Sequence, residues 1–351
     1  MHQKTFFKVI FVTLIIAILV SCTVTRSVPK GKNAIYLEKE LILGSYKQSV
    51  IIRGKDKNNP ILLHLHGGPG YPLFPYLDNF SEIEKHFTVV YWEQRGTGKS
   101  FRKSLNPNSM HTDSLLRDLN QLIDWTRNTI DTNAVYLWGH SWGSNLGMLY
   151  ISKYPEKIKA YIGTGQSVNL KENEKQCLNF VFENAKASNN KKALKELVQI
   201  DTSEYNLESA LTVRKWVYTF GGIVHSNYKE KKYINTDILK KVFQTPEYSF
   251  GNKWRLIFNS KYSGKQLWDD MMTINLFKQV KKVDCPVYFF EGKYDAIVSS
   301  KLADKYFNEL KASKGKHLVW FNKSAHRPHT EEPTKFINEL LKVKAHEGHN
   351  Y

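Results

Sequence analysis

Three residues that lie far apart in the sequence, Ser141, Asp295 and His326, could together perform acyl-transfer chemistry. A serine hydroxyl is a weak nucleophile at neutral pH, so a histidine has to accept its proton during attack and later return it to the leaving group. An aspartate would orient the imidazole, select its tautomer and stabilise the transient imidazolium. Because side chains alone complete this chemistry, we expect no metal and no redox cofactor.

Ser141 lies in the sequence Gly-His-Ser-Trp-Gly, after the apolar run Val135 to Trp138 and before a helix-like segment that ends near Tyr154. This spacing is typical of a nucleophile elbow, in which a serine sits on a tight turn between a strand and a helix. The flanking glycines avoid collisions with the neighbouring helix and strand, and they adopt backbone angles that cost other residues energy. The pattern also arises by chance, so the hypothesis depends on the rest of the chain.

A glycine-rich segment upstream could bind the oxyanion. The run Ile61 to Leu65 is typical of a buried strand and is followed directly by His-Gly-Gly-Pro-Gly, residues 66–70. Backbone N–H groups from such a loop, and from the residue after the nucleophile, stabilise tetrahedral intermediates. We predict Gly68 and Trp142 as the two donors, with Gly67 as the alternative to Gly68. Standing alone, the segment would be an ordinary turn.

Asp295 and His326 each follow a predicted strand, Val287 to Gly292 and His317 to Phe321 respectively. Taken singly, Asp295 could be a turn or helix N-cap residue, and His326 could be a solvated loop histidine. Their order after the serine and their positions at strand ends favour the catalytic interpretation.

Strand-like and helix-like segments alternate along most of the chain, which predicts an α/β fold with a mainly parallel central sheet and helices on both faces. The further predicted strands are Ile35 to Leu43, Ser49 to Arg53, Phe87 to Trp92 and Ala160 to Gly163, and apolar spacing predicts a helix from Thr112 to Ile130.

The sheet pattern stops after Gly165 and resumes near Cys285. We therefore predict a core of residues 34–165 and 276–351, with residues 166–275 inserted as a helical cap. Two cap helices are predicted, Lys171 to Ala187 and Lys191 to Gln199. We expect most of the cap aromatics to form its own small core rather than to line a pocket; they include Trp216, Tyr218, Phe220, Trp254 and Trp268.

Residues 1–22 are typical of a bacterial signal and lipoprotein segment, with a basic start and the apolar run Val9 to Val20. Leu-Val-Ser-Cys resembles a lipobox, which implies cleavage before Cys22 and lipid attachment to it. Residues 23–33 would then be a polar tether on the extracytoplasmic face of the cell membrane. The alternatives are a secreted protein or an uncleaved anchor, although the run is shorter than the roughly 20 residues of an ordinary spanning helix.

The chain of 351 residues has a formal net charge of +18, with 51 Lys and Arg against 33 Asp and Glu. The lysines are scattered and no nucleic-acid signature is present, so we expect a basic solvated surface and no nucleic-acid partner. Cys177 and Cys285 are expected to be buried free thiols, although an exported protein could also pair them.

The segments HGGPG, WEQRGTGKS and GHSWG, together with the late Asp295 and His326, resemble the α/β-hydrolase superfamily. More narrowly, the chain is similar to the proline iminopeptidase (prolyl aminopeptidase) group of serine peptidases over about residues 35–165 and 283–343. The resemblance implies an α/β-hydrolase fold and Ser141, Asp295 and His326 as the catalytic triad. It also implies release of an N-terminal residue, often proline, from short peptides.

The chain departs from that group at several positions. Glu93 stands where Asp is usual, and the serine motif begins Gly-His where many members have Gly-Gly. The resemblance also implies cap carboxylates that bind the substrate ammonium group, but the usual Trp-Glu pair is missing. Glu172, Glu174 and Glu183 on the first cap helix could serve, or they could form a solvated helix face.

Two alternatives to an aminopeptidase therefore stay open. The first is an esterase or lactonase that uses the same triad without ammonium recognition. The second is a non-catalytic surface lipoprotein that retains the fold as a binding module.

Overall fold

The computed structural model describes residues 28–71, 73–225, 240–259 and 261–348. Within these residues the strands, in chain order, are β1 (Ile35–Leu43), β2 (Tyr46–Gly54), β3 (Ile61–Leu65), β4 (Thr88–Glu93), β5 (Val135–His140), β6 (Ile158–Thr164), β7 (Lys282–Val283), β8 (Val287–Gly292), β9 (Lys311–Ala312) and β10 (Lys316–Phe321). Eight of these described strands form one sheet in the order β1-β2-β4-β3-β5-β6-β8-β10. β2 is antiparallel to both β1 and β4, and every other neighbouring pair in the sheet is parallel. β7 and β9 form a separate parallel pair.

The helices are α1 (Thr112–Ile130), α2 (Trp142–Ile151), α3 (Leu170–Ala187), α4 (Lys191–Leu197), α5 (Leu207–Thr219), α6 (Phe250–Phe258), α7 (Tyr262–Met272), α8 (Leu276–Gln279), α9 (Ser300–Glu309), α10 (Pro328–Glu331) and α11 (Pro333–Gly348). Short 3-10 helices occur at Phe74–Phe80, Ile83–Lys85, Gly98–Ser100, Pro107–Ser109 and Pro155–Lys157.

The central strands are buried on both faces, which explains their nearly continuous apolar sequences. Every residue of β3, β4 and β8 is buried, whereas the edge strand β1 is mostly half-buried or exposed. One apolar cluster includes Leu63, Leu119 and Leu146, and another includes Leu62, Trp138 and Phe336. Alternate residues of β3 therefore contribute to different clusters, as a sheet covered on both faces requires.

Helices occupy most of the described chain between β6 and β8. A separate apolar cluster joins α3, α4 and α5 through Val181, Leu197 and Trp216, with Phe220 packed against it. These two aromatic residues thus belong to the region's own core, as expected. Trp268 is buried outside this cluster, while Trp254 is 41% exposed on the surface.

Several predicted boundaries differ from the structure, three of them for a clear physical reason. β5 extends to His140 because its parallel pairing with β6 continues to Thr164. α2 ends at Ile151 instead of near Tyr154, and Pro155 disfavours helical backbone in the residue before it. α4 ends at Leu197 instead of Gln199, because the chain tightens into a turn in which the N–H of Ile200 bonds to Leu197 O at 3.1 Å.

The predicted lipoprotein segment, residues 1–22 with Cys22, lies outside the described residues, as does the start of the tether. In residues 28–348, apart from the gaps given above, none of the helices combines the length and apolar character needed to cross a membrane. Cys177 and Cys285 are buried free thiols, as predicted.

Candidate active site

Ser141 occupies a tight turn between β5 and α2. Its φ of 55° and ψ of −122° are unusual for a residue with a side chain. A Cβ atom added to Gly139 would lie 2.5 Å from Gly143 O, and one added to Gly143 would lie 2.1 Å from Leu65 O. Glycine is therefore required at both positions, because Gly139 packs against the start of α2 and Gly143 packs against the end of β3.

Asp295 and His326 form a buried pair at the ends of β8 and β10. His326 Nδ1 lies 2.7 Å from Asp295 Oδ2, and the aspartate side chain is fully shielded from solvent. Asp295 Oδ1 accepts hydrogen bonds from the backbone N–H groups of Ile297 and Val298, at 3.0 and 2.9 Å. The carboxylate therefore has one oxygen fixed by the backbone and the other bonded to the imidazole, which leaves His326 Nε2 as the ring nitrogen that could act as a base.

Two glycines that the sequence analysis did not single out make room for this pair. A Cβ atom on Gly165, at φ 54°, would lie 2.9 Å from His326 Nδ1 and 3.2 Å from Asp295 Oδ2. A Cβ atom on Gly292 would come within 1.7 Å of Ala325 O. The backbones after β6, β8 and β10 therefore approach one another closely at the imidazole.

Ser141 and His326 line the same cavity, which has a volume of about 260 Å³. His140, the residue before the serine, donates from Nε2 to the backbone carbonyl of His326 at 3.0 Å. The rings of these two histidines are 4.7 Å apart. The structure therefore brings the predicted nucleophile, base and acid to one place.

The predicted oxyanion-hole residues Gly68 and Trp142 also line this cavity, as does the alternative Gly67. Trp142 is the first residue of α2. The backbone N–H of Trp142 therefore belongs to the first turn, where N–H groups have no acceptor within the helix. A Cβ atom on Gly67 would lie 3.1 Å from the Cβ atom of Ser141. The loop after β3 thus approaches the serine closely at Gly67, where a side chain would fit only if its neighbours shifted.

Gln94, which was not among the predicted site residues, connects the two segments that contain the predicted oxyanion-hole residues. Its Oε1 accepts from the indole Nε1 of Trp142 at 3.0 Å, and its Nε2 donates to the backbone carbonyl of His66 at 3.2 Å. The backbone N–H of Gln94 also donates to His66 Nε2 at 3.2 Å. Burial lowers the pKa of His66 to about 4, so its neutral ring can accept this bond. The WEQRG segment therefore positions the loop after β3 relative to the elbow.

Glu93, the last residue of β4, fixes the loop that follows this strand. The residue is completely buried, and its Oε2 accepts from the backbone N–H of Lys99 at 2.6 Å, while Oε1 accepts from the hydroxyl of Tyr248. Burial raises the pKa of Glu93 to about 7, although these hydrogen bonds act in the opposite direction. The departure from Asp at this position is thus accommodated by a tyrosine from the region between β6 and β8.

Glu291 on β8 is a second buried carboxyl group, close to Asp295. Its Oε1 accepts from the backbone N–H of Gln166 at 2.9 Å, and its Oε2 has no partner among the described residues. Burial, aided by the charge of Asp295, raises the pKa of Glu291 well above its usual range. Burial therefore favours the protonated form of Glu291, beside the Asp295 carboxylate that bonds to the imidazole.

The three predicted cap glutamates do not line the cavity of Ser141. Glu174 is buried, but its carboxylate forms a bidentate ion pair with Arg214, at 2.5 and 2.8 Å, and accepts from the hydroxyl of Tyr205. Glu172 is half-buried beside Lys175, and Glu183 is exposed. The expected ammonium-binding role therefore has no geometric support at any of them, because one is neutralised by arginine and two face solvent.

The cavity has an unusual composition for ammonium recognition. Among the described residues its lining contains no Asp or Glu, but it contains two arginines, Arg214 and Arg327, and five histidines. Burial lowers the pKa of His329 to about 3 and that of His140 well below its usual range, and the charge of Arg327 contributes to both shifts. The cavity therefore combines neutral imidazoles with guanidinium groups.

This fold and site place the chain in a known family. Residues 60–333 match the family model described as alpha/beta hydrolase fold, and the chain belongs to this family. It is 32% identical over 321 residues to the probable aminopeptidase YbaC of Bacillus subtilis (strain 168), covering 90% of this chain and 98% of that protein. It is 23% identical over 285 residues to a proline iminopeptidase of Heyndrickxia coagulans, covering 79% and 88%.

The fold is shared with solved structures as well. A proline iminopeptidase-related protein from Thermus thermophilus superposes with a TM-score of 0.60 at 15% identity, covering 89% of this chain and 98% of that one. The predicted α/β-hydrolase fold and the resemblance to proline iminopeptidases are thus confirmed.

Proposed function

We propose that this protein is a serine hydrolase that releases N-terminal residues from short peptides through an acyl-enzyme intermediate. The observation that carries the proposal is the buried Asp295–His326 hydrogen bond of 2.7 Å beside the cavity that holds Ser141 in its strained turn. Two relatives named as aminopeptidases, one of them 32% identical along nearly its whole length, support the peptidase assignment.

In the proposed mechanism, His326 removes the proton from the Ser141 hydroxyl as its oxygen attacks the scissile carbonyl. Backbone N–H groups of Trp142 and of Gly68 or Gly67 stabilise the oxyanion, a contribution of roughly 3 kcal/mol or more per donor. His326 then protonates the leaving nitrogen. Water, activated by the same imidazole, hydrolyses the acyl-enzyme and regenerates Ser141.

An esterase with the same triad is the second candidate, and a specific observation favours it. The described lining of the cavity offers no carboxylate for a substrate ammonium group, which an aminopeptidase of the proline iminopeptidase type is expected to bind. We further propose, from the sequence of residues 1–33 alone, that Cys22 carries a lipid that holds the enzyme at the extracytoplasmic face of a bacterial membrane.

A labelling and turnover experiment tests these proposals. The fragment of residues 23–351 should react with a fluorophosphonate probe, and Ser141→Ala should abolish labelling while the circular dichroism spectrum is retained. Prolyl-naphthylamide and short-chain nitrophenyl esters should then be compared at equal enzyme concentration. Ester cleavage without amide turnover would replace the peptidase by the esterase, and an unlabelled native wild type would favour a non-catalytic binding protein.

A further inference from the structure

Arg327 is the uncompensated charge of the cavity. The other lining arginine, Arg214, is neutralised by its bidentate contact with Glu174. In the part of the chain that the structure describes, no carboxylate lies within ion-pair distance of the Arg327 guanidinium. A half-buried cation without a counter-charge in a substrate cavity is suited to an anionic ligand.

The guanidinium is held in place by its surroundings. It lies over the ring of Tyr71, 5.7 Å from the ring centroid, and both residues line the cavity. The backbone N–H of Arg327 donates to Glu331 Oε1 at 3.2 Å, and the backbone N–H of His326 donates to Ile223 O at 3.0 Å. The arginine therefore starts from a fixed backbone and stacks on an aromatic face, which reduces the entropy lost when it binds a ligand.

The position of Arg327 identifies which part of the substrate it would meet. It follows His326 directly in the chain, and His326 is the group that protonates the leaving group in the proposed mechanism. The leaving group of a dipeptide is an amino acid, whose α-carboxylate is two covalent bonds from the leaving nitrogen. A carboxylate so placed lies on the same side of the scissile bond as His326 and its neighbour.

We infer that Arg327 recognises a carboxylate on the leaving group, so that the preferred substrates are dipeptides with a free C-terminus. The planar guanidinium can bind both carboxylate oxygens, which a single point charge does less well. This inference rests on the proposed hydrolase mechanism and adds to it a limit on substrate length. In a longer peptide the first leaving residue carries an amide where the dipeptide carries a carboxylate.

The test compares Ala-Ala and Pro-Ala as free acids with the same dipeptides as C-terminal amides. For the wild type we expect kcat/KM to be about 10- to 100-fold higher for the acids, the range given by one charge-assisted bidentate contact. Arg327→Met should reduce this ratio to near one, because the acids lose a contact that the amides do not make. Arg327→Lys should retain part of the preference.

Lys323→Met is the matched control, because Lys323 is an exposed cation of the same loop that does not line the cavity. It should leave the acid-to-amide ratio unchanged. A wild-type ratio near one, or a ratio that persists in Arg327→Met, would overturn the inference.

A second substrate pair separates this inference from the peptidase assignment. If neither peptide form is hydrolysed, 4-acetoxybenzoate and its methyl ester provide leaving groups with and without a carboxylate. Preference for the acid that depends on Arg327 would keep the recognition role and reject the peptidase. No preference in either pair would reject the role of Arg327, and no turnover of any of these compounds would reject both.

Discussion

His140 and His326 are joined by a hydrogen bond of 3.0 Å from the His140 imidazole Nε2 to the backbone carbonyl of His326. A carbonyl oxygen only accepts hydrogen bonds, so His140 carries its proton on Nε2. Burial and the neighbouring histidines lower the pKa of His140, which keeps the ring neutral. The residue that departs from the usual Gly-Gly motif therefore connects the nucleophile turn to the backbone of the proposed base.

His140→Ala should lower kcat without a comparable rise in KM. The variant removes the bond that positions His326, and a displacement of about 1 Å at a catalytic group can cost on the order of 100-fold in rate. We expect a loss of about 10- to 100-fold, measured by steady-state kinetics, together with a shifted pH profile of kcat. His346→Ala, which changes a histidine outside the cavity, is the control; an unchanged kcat in His140→Ala would show that the bond does not position the base.

Gln94→Leu should reduce both stability and kcat, whereas Gln48→Leu should reduce stability alone. Both glutamines are buried and accept from a tryptophan indole, Gln94 from Trp142 and Gln48 from Trp92 at 2.9 Å. Each substitution leaves buried polar groups without partners, at a cost of about 1–3 kcal/mol.

Of the two glutamines, only Gln94 connects the segments that contain the predicted oxyanion-hole residues, so only its loss should impair catalysis. The measurements are urea unfolding and kcat at a temperature where both variants are fully folded. Equal losses of kcat in the two variants would reduce the role of Gln94 to general stability.

Glu93→Gln should remove part of the pH dependence of folding. Because the native pKa of Glu93 is about 7, against 4.5 for an ordinary glutamate, the native state holds its proton more tightly than the unfolded state. The contribution of the protonated Glu93 to the stability of the folded state is therefore complete below about pH 4.5 and is lost as the pH rises through about 7. Between about pH 5 and 8 the free energy of unfolding of the wild type, measured with urea, should therefore fall by roughly 2–3 kcal/mol relative to that of Glu93→Gln.

The control for this effect is Glu82→Gln, which changes a solvent-exposed glutamate of an i,i+3 pair with Lys85. It should follow the wild-type pH dependence. A Glu93→Gln profile parallel to that of the wild type would mean that Glu93 titrates as an ordinary carboxyl in the folded protein.

Ser141→Gly should be more stable than Ser141→Ala, although both variants should be inactive. At φ 55° a Cβ atom costs energy, typically about 1–3 kcal/mol in such a conformation, and glycine removes that cost. After the entropic penalty of glycine, we expect a net difference of about 1 kcal/mol. At Ser144, in the first turns of α2, the order should reverse because alanine favours helical backbone. The same order at both positions would contradict a strained turn.

Local sequence signals were sufficient for most of the architecture. The predicted bounds of β1, β3, β8 and α1 match the structure, since continuous apolar runs and a helical apolar stripe are properties of short segments. Motif spacing likewise placed Ser141, Asp295 and His326 at strand ends. These positions depend on chain order, which the sequence displays directly.

Contacts between distant segments were beyond such reasoning. Gln94 bonds to Trp142 and His66, and Arg214 neutralises Glu174, only because the fold brings them together. Glutamates on a polar helix give no sign of whether they will meet an arginine or a substrate. Gly165 and Arg327 were missed because a glycine after a strand, and an arginine after a histidine, have no distinctive spacing.

Helix α3 is attached to the acid-bearing loop. The side chain of Asn173 donates from Nδ2 to Ile297 O at 2.9 Å and accepts at Oδ1 from the N–H of Ser299 at 2.8 Å. The Cys177 thiol donates to Ala296 O at 3.2 Å. Moving α3 outward would disturb the same backbone whose N–H groups hold Asp295. The position of the Asp295 carboxylate is therefore coupled to that of α3, through three hydrogen bonds that any outward movement of the helix would break.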